Sequence, residues 1–444
     1  MPTPVNVLQN VQTYQKAELA WLLNEFVGIN ITNKKFKNFN DLVANLGDTV
    51  TFDTTPRYRT YTGLVITEQP STQRLQSLVC SQAANVSAAY TDQQFIFNVR
   101  DYMDRFGMAA MKELGTEIEA DILKNFISGV TINDPQNASF GVQQVSSGPY
   151  RFFGNGLTPI NSYTQLAQMV ANFESTGAAR HDMRAILPVD RIPAIIGTGL
   201  NQFATNRNNE DAESWELGRF TNTEWYESNL LPIHVSGTVL NAAAPNNVMT
   251  IVSTNDPTGQ NVTQITVTEP TGGTDANAIK AGDMFQFNDV VGLPFMRALT
   301  FSGHIVTGQP VQFMATADAA SVAGTITINV RTINGASGAY VGLVWAVNAN
   351  QNVNNAIQAG MTITGVPSHL AGCLMSGNQF YMAMPTLPDE SPFTTMNMRD
   401  EDSGASIRHY FGSQFGLNNR AYVRDSIWGS TLVPENSMRI CFPL

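Results

Sequence analysis

Histidine and cysteine come close together at one point in the sequence, where His369 precedes Cys373 by four residues. A structural zinc site takes four such ligands, usually as two closely spaced pairs. The other histidines and cysteines are scattered along the chain, and no second pair of ligands accompanies the first. The spacing therefore predicts neither a zinc site nor a disulfide framework.

Two groups of carboxylates have the composition of functional sites but not the spacing. Asp400-Glu401-Asp402-Ser403-Gly404 resembles the start of a calcium loop, but Phe411 occupies the position where that loop needs a bidentate glutamate. Asp389 and Glu390 could supply a glycosidase with two carboxylates, but neighbours on a strand point to opposite faces. We interpret the first group as a solvated turn, and we expect no catalytic pair from the second.

Short motifs with a known chemistry are missing from the sequence. It has no Gly-x-Ser-x-Gly elbow, no phosphate-binding glycine loop ending in Lys-Ser or Lys-Thr, and no dinucleotide fingerprint. His409 stands between Arg408 and Tyr410 with no accompanying motif, so we interpret it as a structural histidine. We therefore predict no catalytic, cofactor-binding or metal-binding residue, no cofactor, and a protein that is not an enzyme.

The chain has few charged residues for its length. They make up 14% of its 444 residues, against roughly 25% in an ordinary soluble domain. Amides and hydroxyls replace many of them. Such groups cost less than ions to remove from water, so the composition favours a surface that other protein covers. A secreted β-rich protein would have a similar composition.

The net charge and the hydropathy pattern argue against two kinds of partner. A net charge of −11 disfavours tight binding to nucleic acid, because affinity for phosphates comes from clustered Lys and Arg. No run of 18 apolar residues occurs and the N-terminus has no signal-peptide pattern, so neither a membrane partner nor export is expected. Three widely separated cysteines fit a reducing compartment.

A stretch of 130 residues, from Gly237 to Val366, carries only 9 charged residues. Its short runs are β-branched or aromatic and mostly alternate with polar residues, which is typical of strands, and turn residues separate them. The stretch is therefore predicted to be an inserted module, either a small barrel or a sandwich. Its predicted strands are Val248–Val252, Gln264–Thr268, Met284–Phe287, Val311–Met314 and Thr325–Val330.

Three helices are predicted outside the insertion. Apolar residues recur at helical spacing from Asn10 to Val27, and Gly28 follows as a stop. From Asp101 to Phe126 they recur every four residues, with acidic residues around the rest, which predicts a helix about 39 Å long. Ser162 precedes a third helix, whose apolar face is predicted to be Leu166, Met169, Val170 and Phe173.

The remaining residues predict an arm and an interrupted sheet. Leu46 to Val99 has the pattern of two strands that leave the body and return; we call it the arm, and a hairpin of this kind needs a surface to lie on. Met183–Leu187 predicts a strand, and Asn201–Ser228 a loop. Four strands beyond the insertion are predicted to join the sheet begun before residue 240: Gln379–Pro385, Ser406–Phe411, Arg420–Gly429 and Met438–Phe442.

Three stretches, together with the order of the predicted elements, resemble a known family. They are Lys280-Ala281-Gly282-Asp283-Met284-Phe285-Gln286-Phe287, then Leu370–Cys373 with Phe380–Pro385, and then Gly404–Arg408 with Arg420–Gly429. Together they are similar to the major capsid (coat) proteins of tailed bacteriophages, which have the HK97-like fold. More narrowly, they resemble the coat proteins of short-tailed phages that carry an inserted β-barrel domain.

The resemblance implies an α+β fold with five parts. Residues 1–45 would be the N-terminal arm and helix, and 46–100 the extended two-stranded E-loop. Residues 101–236 would hold the long spine helix, the P-domain and the first part of the α/β A-domain. Residues 237–366 would be the inserted all-β domain, and 367–444 the remaining strands of the A-domain and P-domain.

The function that the resemblance implies is structural. The chain would be a subunit of an icosahedral capsid, self-assembling into pentamers and hexamers that enclose packaged double-stranded DNA. It would be assembled in the host cytoplasm with a scaffolding protein and a portal, would touch DNA weakly at most, and would end in the virion capsid. No lysine lies between Lys37 and Lys112, so an isopeptide cross-link through the arm is not expected.

Two other interpretations stay open at this point. One is a β-rich secreted hydrolase or adhesin, with the low charge reflecting carbohydrate binding. The other is a tail or baseplate protein of the same kind of virus, which would also self-associate.

Overall fold

The computed structural model describes residues 19, 26–34, 49–54, 56–64, 66, 68, 74–91, 107–127, 148–178, 180–199, 217–241, 247–270, 272–333, 341–377, 379–388, 394–399, 404–413 and 419–444. The helices in these ranges are α1 (Val27–Ile31), α2 (Met108–Leu123), α3 (Tyr163–Ser175) and α4 (Ile192–Gly199). Single 3₁₀ turns lie at Lys124–Phe126, Val189–Arg191 and Pro434–Asn436. None of the helices found in these ranges is long and apolar enough to cross a membrane.

Strands make up most of the regular structure. Before the predicted insertion they are β1 (Thr49–Thr54), β2 (Arg74–Val79), β3 (Gln82–Thr91), β4 (Phe152–Phe153), β5 (Met183–Pro188), β6 (Arg219–Phe220), β7 (Thr223–Ser228) and β8 (Ile233–His234). Within it they are β9 (Val248–Thr254), β10 (Asn261–Val262), β11 (Gln264–Thr268), β12 (Asp275–Ile279), β13 (Met284–Phe287), β14 (Arg297–Leu299), β15 (Val306–Pro310), β16 (Gln312–Ala315), β17 (Ala319–Val322), β18 (Thr325–Arg331), β19 (Leu343–Val344) and β20 (Thr362–Gly365). After it they are β21 (His369–Met375), β22 (Phe380–Ala383), β23 (Thr394–Arg399), β24 (Ser406–Ser413), β25 (Asn419–Leu432) and β26 (Ser437–Pro443).

A seven-stranded mixed sheet forms the centre of the body. Its order is β4-β26-β21-β5-β7-β6, with β8 also paired to β21. Helices α3 and α4 cover one face of this sheet, and α2 packs against the other. Because β8 precedes the predicted insertion and β21 follows it, the body is discontinuous in sequence. Of the four strands predicted beyond the insertion, β26 joins this sheet as predicted, whereas β21 was not among them.

Helix α3 begins where the sequence predicts. The Ser162 side chain accepts a hydrogen bond from the backbone N–H of Gln165 at 3.3 Å. Such a cap satisfies one of the amides that the first turn of a helix leaves without a partner. The buried residues of the helix are the four predicted ones, Leu166, Met169, Val170 and Phe173.

Two features of the predicted helices are corrected. Gly28 does not stop a helix but lies inside α1, because the Glu119 carboxylate of α2 accepts the N–H groups of Gly28 (2.8 Å) and Ile29 (3.0 Å). Glu119 and Asp121 are therefore buried rather than solvated; Asp121 accepts the indole N–H of Trp428 at 2.9 Å. At 16 residues, α2 is about 24 Å long, and positions 10–18, 20–25 and 101–106 of the predicted helices lie outside the described residues.

Two predictions about strands are wrong. β22, β24 and β25 do not join the central sheet but form a second sheet of five strands with β3 and β23. β25 is 14 residues long and pairs with β3 over ten of them, which draws part of the predicted arm into the body. The predicted loop Asn201–Ser228 contains β6 and β7. Thr223, Trp225 and Ser228 of β7 are buried, and with two polar residues among these three the sequence shows no strand pattern.

The insertion forms a closed barrel. Its eight-stranded sheet has the order β11-β9-β20-β13-β16-β18-β17-β12, and β11 also pairs with β18, so six antiparallel strands close a ring. Alternating residues such as Ile265, Val267, Ile326 and Ile328 point into its core. The stacked rings of Phe285 and Phe313, with centroids 5.2 Å apart, fill the centre. We call this unit the barrel.

The first part of the arm is a two-stranded antiparallel ladder. β1 and β2 pair over six positions, from Thr49–Val79 to Thr54–Arg74. Between them, residues 56–64 form no ladder. An isolated hairpin of two strands is only marginally stable in water, so the arm needs contacts with another surface of protein.

Candidate functional site

The residues singled out in the sequence lie apart from one another in the structure. His369 is on β21, buried, with Nδ1 2.7 Å from the Pro367 carbonyl oxygen, and burial raises the pKa of the Cys373 thiol. Among the described residues no group of three or more His, Cys, Asp or Glu side chains is placed to hold a metal ion. Asp389, Glu390 and the segment 400–403 lie outside the described residues.

His409 is fully buried in the five-stranded sheet. Its Nδ1 lies 2.6 Å from the Tyr422 hydroxyl. Burial, and then the nearby Arg424, lowers the pKa of His409 to about 3. The imidazole is therefore neutral at neutral pH, and no substrate in solvent can reach it.

A buried group of hydrogen-bonded polar residues lies where the barrel meets the body, and Asp283 is at its centre. This carboxylate has no exposed surface. It accepts the Lys280 N–H at 2.7 Å and the Gly237 N–H at 3.1 Å. From the body, His234 donates its Nε2–H at 2.8 Å, since a carboxylate can only accept. One barrel side chain thus closes its own turn and joins the barrel to β8.

Two more buried groups complete this junction. The His369 ring lies 5.4 Å from the His234 ring, centroid to centroid. Arg439 of β26 donates to three backbone carbonyl oxygens: Phe126 (2.7 Å) and Ile127 (2.6 Å) after α2, and Gly282 (3.0 Å) of the barrel. We call Asp283, His234, His369 and Arg439 the junction cluster.

The charges of the junction cluster follow from burial. Burial lowers the pKa of His234 against the opposing effect of Asp283, and burial with the nearby Arg439 lowers the pKa of His369 well below its usual value. Burial also lowers the pKa of Arg439, to about 10. At neutral pH both imidazoles are therefore neutral and Arg439 carries the positive charge. A His–Asp pair this deeply buried can fix a structure, but it cannot meet a substrate.

A second set of contacts joins the barrel to the body on another side. The Gln312 side chain accepts the Phe152 N–H at 3.0 Å and donates to the Phe152 carbonyl at 3.0 Å, so one amide extends β4 as a strand neighbour would. Gln309 donates to Asn172 of α3 at 2.9 Å. The Phe301 N–H donates to the Thr176 carbonyl oxygen at 3.0 Å.

Arg151 packs on aromatic rings beside these contacts. Its guanidinium lies 4.9 Å from the Phe173 ring centroid and 5.0 Å from that of Phe301, at distances typical of cation–π contacts. It also donates to the Thr176 hydroxyl and, at 2.6 Å, to the Glu435 carbonyl oxygen. The arm reaches the same aromatic ring, since Arg57 lies 5.0 Å from the Phe301 centroid.

A cavity of about 520 Å³ lies between these contacts. Amides dominate its polar lining, and several of them are already bonded within the chain, among them Gln309, Gln312 and Asn352. The cavity is therefore part of the seam between barrel and body.

Sequence reasoning missed the residues that build this seam. Asp283 was part of a motif but had no role, and Arg439 and Arg151 were not singled out. A usable signal existed for Arg439, because a single arginine between Met438 and Ile440 in an apolar strand requires buried acceptors. No local pattern shows that Gln312 would meet Phe152, 160 residues away.

Taken together, the described chain is an α+β body interrupted by a closed β-barrel that is bonded to it at two places. The sequence matches no protein-family model and no curated protein. In structure the chain is similar to one from Mycobacterium phage Che8, with 8% identity, 94% of this chain and 91% of that chain covered, and a TM-score of 0.42. It is similar to the capsid of Ralstonia phage GP4, with 8% identity, coverage of 94% and 88%, and a TM-score of 0.38.

A third similar structure is the capsid asymmetric unit of cyanophage Pam1, with 11% identity, coverage of 92% and 88%, and a TM-score of 0.38. The two structures described as capsids are of the class that the sequence resembles. With TM-scores below 0.5, none of these likenesses relates individual residues, so the role of the chain is inferred from its own contacts.

Proposed function

We propose that the chain is the structural subunit of an icosahedral tailed-phage capsid, self-assembling into pentamers and hexamers that enclose double-stranded DNA. One observation carries the proposal: the arm projects apolar side chains into solvent. Leu64 and Ile66 are 104% and 91% exposed, and Tyr58 is 54% exposed. Exposed apolar groups on a segment that forms no ladder of its own favour a protein partner, and in a shell that partner is a second copy of the chain.

The way the parts are joined supports this role. A shell subunit must keep its contact surfaces in fixed relative positions, and the junction cluster with the Gln312–Phe152 contact fixes the barrel to the body. The five parts proposed are residues 1–45, 46–100, 101–236, 237–366 and 367–444, with the inserted part as the barrel. The core of the barrel draws on residues from Val239 to Ile363, which supports the boundaries 237 and 366.

Composition supports the same role. Interfaces in a closed shell can each be weak, because many of them act together. A charged fraction of 14% reduces the desolvation cost of each interface. A net charge of −11 suits a container whose DNA must move freely, since each added phosphate contact raises affinity. Scaffolding protein, portal and weakly held DNA are the further partners proposed, with assembly in the host cytoplasm and a final location in the virion.

The test is to purify the chain after expression alone and with the candidate scaffolding protein, and to examine it by size exclusion and electron microscopy. Closed polyhedral shells are the expected result. A chain that stays monomeric under all these conditions would refute the proposal, and tubes or rings would indicate a tail or baseplate protein instead.

A matched pair of variants tests the arm. Leu64→Ser with Ile66→Ser should abolish shells while leaving the folded monomer intact, because neither side chain is covered by its own chain. Val291→Ser, at an equally exposed position on the barrel (101%), should not. Equal effects from both changes would show that the arm has no special part in assembly.

A further inference from the structure

We propose that the barrel carries a docking face for the arm of its own chain, made by Phe301 and Gln351, and that this face fixes the direction of the arm before a second copy binds. That the docked arm then binds a second copy rests on the proposed function. The contact between arm and barrel does not, because it lies within one chain.

The arm meets the barrel with alternate residues. Arg57 and Arg59 are half-buried, whereas Pro56, Tyr58 and Thr60 between and beside them are exposed. This period of two is that of an extended chain with one face on a surface and the other in solvent. Arg57 lies 5.0 Å from the Phe301 ring centroid, and the Arg59 guanidinium donates to the Gln351 side-chain oxygen.

The docking face is rigid enough to orient what binds to it. The other neighbour of Phe301 is the buried Arg151, 5.0 Å from the ring centroid, and the Phe301 N–H is held by Thr176 of the body. Phe301 is therefore in contact with the arm, the barrel and the body. His304 donates its Nε2–H to the Ala349 carbonyl oxygen at 3.3 Å, which joins the segment that carries Phe301 to the one that carries Gln351.

Docking one face of the arm leaves the other available. With Arg57 and Arg59 turned to the barrel, the exposed residues Tyr58, Leu64 and Ile66 are presented to solvent. An arm that is already ordered loses less conformational entropy when a partner binds than a free arm does. The docking face would thus raise the affinity of the arm for a second copy without touching that copy.

Trypsin provides a direct test on the isolated subunit, because it cleaves after Arg57 and Arg59 and must bind the arginine side chain to do so. Phe301→Leu keeps an apolar side chain but removes the ring, and Gln351→Ala removes the acceptor of Arg59. Each change should raise the rate of cleavage after Arg57 or Arg59 about five- to ten-fold, since proteolysis follows the population of the released arm. Cleavage at the two bonds is followed by mass spectrometry at a concentration where the subunit is monomeric.

Phe295→Leu is the matched control. Phe295 also stacks with an arginine, but that residue is Arg297 of the barrel itself, at 5.4 Å, so cleavage in the arm should not change. Rates in the Phe301 and Gln351 variants equal to those of the control, with unfolding midpoints unchanged, would overturn the proposal. The proteolysis test needs no shell, so it can refute the docking face without refuting the capsid function. Electron microscopy of the unaltered chain tests the capsid function.

Discussion

Replacing Asp283 by alanine should destabilise the chain more than any other single change to a barrel carboxylate. The side chain has no exposed surface and accepts N–H groups from Lys280, Gly237 and His234. The variant would leave all three donors facing a small apolar methyl group. It would also remove a negative charge that stabilises the positive charge of Arg439.

The size of the effect follows from these contacts. A buried donor left without an acceptor costs about 1–3 kcal/mol, and loss of one partner of a buried ionic group costs about 3–5 kcal/mol in other proteins. The three donors share one carboxylate and their losses are not additive, so the expected loss is about 3–5 kcal/mol rather than the sum over three donors. Asp283→Asn keeps one acceptor oxygen and should lose roughly half as much.

The assay is urea denaturation at pH 7, followed by tryptophan fluorescence. The matched control is Asp289→Ala, on the same barrel: Asp289 also accepts two N–H groups, both from Arg297 at 2.7 Å, but it is exposed. Its removal should leave the unfolding midpoint where it is, because exposed ion pairs add little. A loss below about 1 kcal/mol for Asp283→Ala would refute the reasoning, since it would mean that these donors find other partners at little cost.

Two further predictions concern a helix cap and acid stability. Ser162→Ala should lower the free energy of unfolding by about 1 kcal/mol, because the Gln165 N–H loses its acceptor; Ser175→Ala at the other end of α3 is the control, and equal effects from both would contradict the capping role. His409 has a folded-state pKa of about 3, so the unfolded chain takes up its proton first as the pH falls below about 6.5, and stability is lost with acid. Between pH 7 and pH 5 this costs about 2 kcal/mol, and the depressed pKa values of His234 and His369 add losses of the same sign. Denaturation of His409→Gln at both pH values should show a loss smaller by about that amount, and an unchanged difference would contradict the assignment.

The parts of the fold that the sequence predicts are those fixed by local patterns. The barrel strands β11 and β13 begin and end at the predicted residues, because alternation and turn residues lie within a few positions of each other. Helix α3 was predicted with its cap and its buried face for the same reason. The closure of the barrel through β11 and β18 depends on residues some sixty positions apart, and the alternative of a sandwich could be rejected only from the structure.

Predictions failed where a distant partner overrides the local pattern. Gly28 has the sequence position of a helix stop, but Glu119 supplies acceptors for the first amides of α1, and a side chain at position 28 would come within 2.7 Å of that carboxylate. β7 was not predicted because two of its buried residues, Thr223 and Ser228, are polar. No local pattern relates Asp283 to Arg439, because 156 positions of the sequence separate them.

The barrel has a core of its own, but a small apolar cluster and several polar contacts join it to the body. The chain enters and leaves it between β8 and β21, which are neighbours, and the two crossings are bonded to each other: Ser236 donates to the Val366 carbonyl at 3.0 Å, and its N–H donates to Ser368 at 3.0 Å. An insertion at such a point costs little loop entropy whatever its length. Asp283 and Gln312 nevertheless satisfy buried donors of the body, on His234 and Phe152. A chain built this way keeps its barrel in one orientation, as the proposed role of a shell subunit requires.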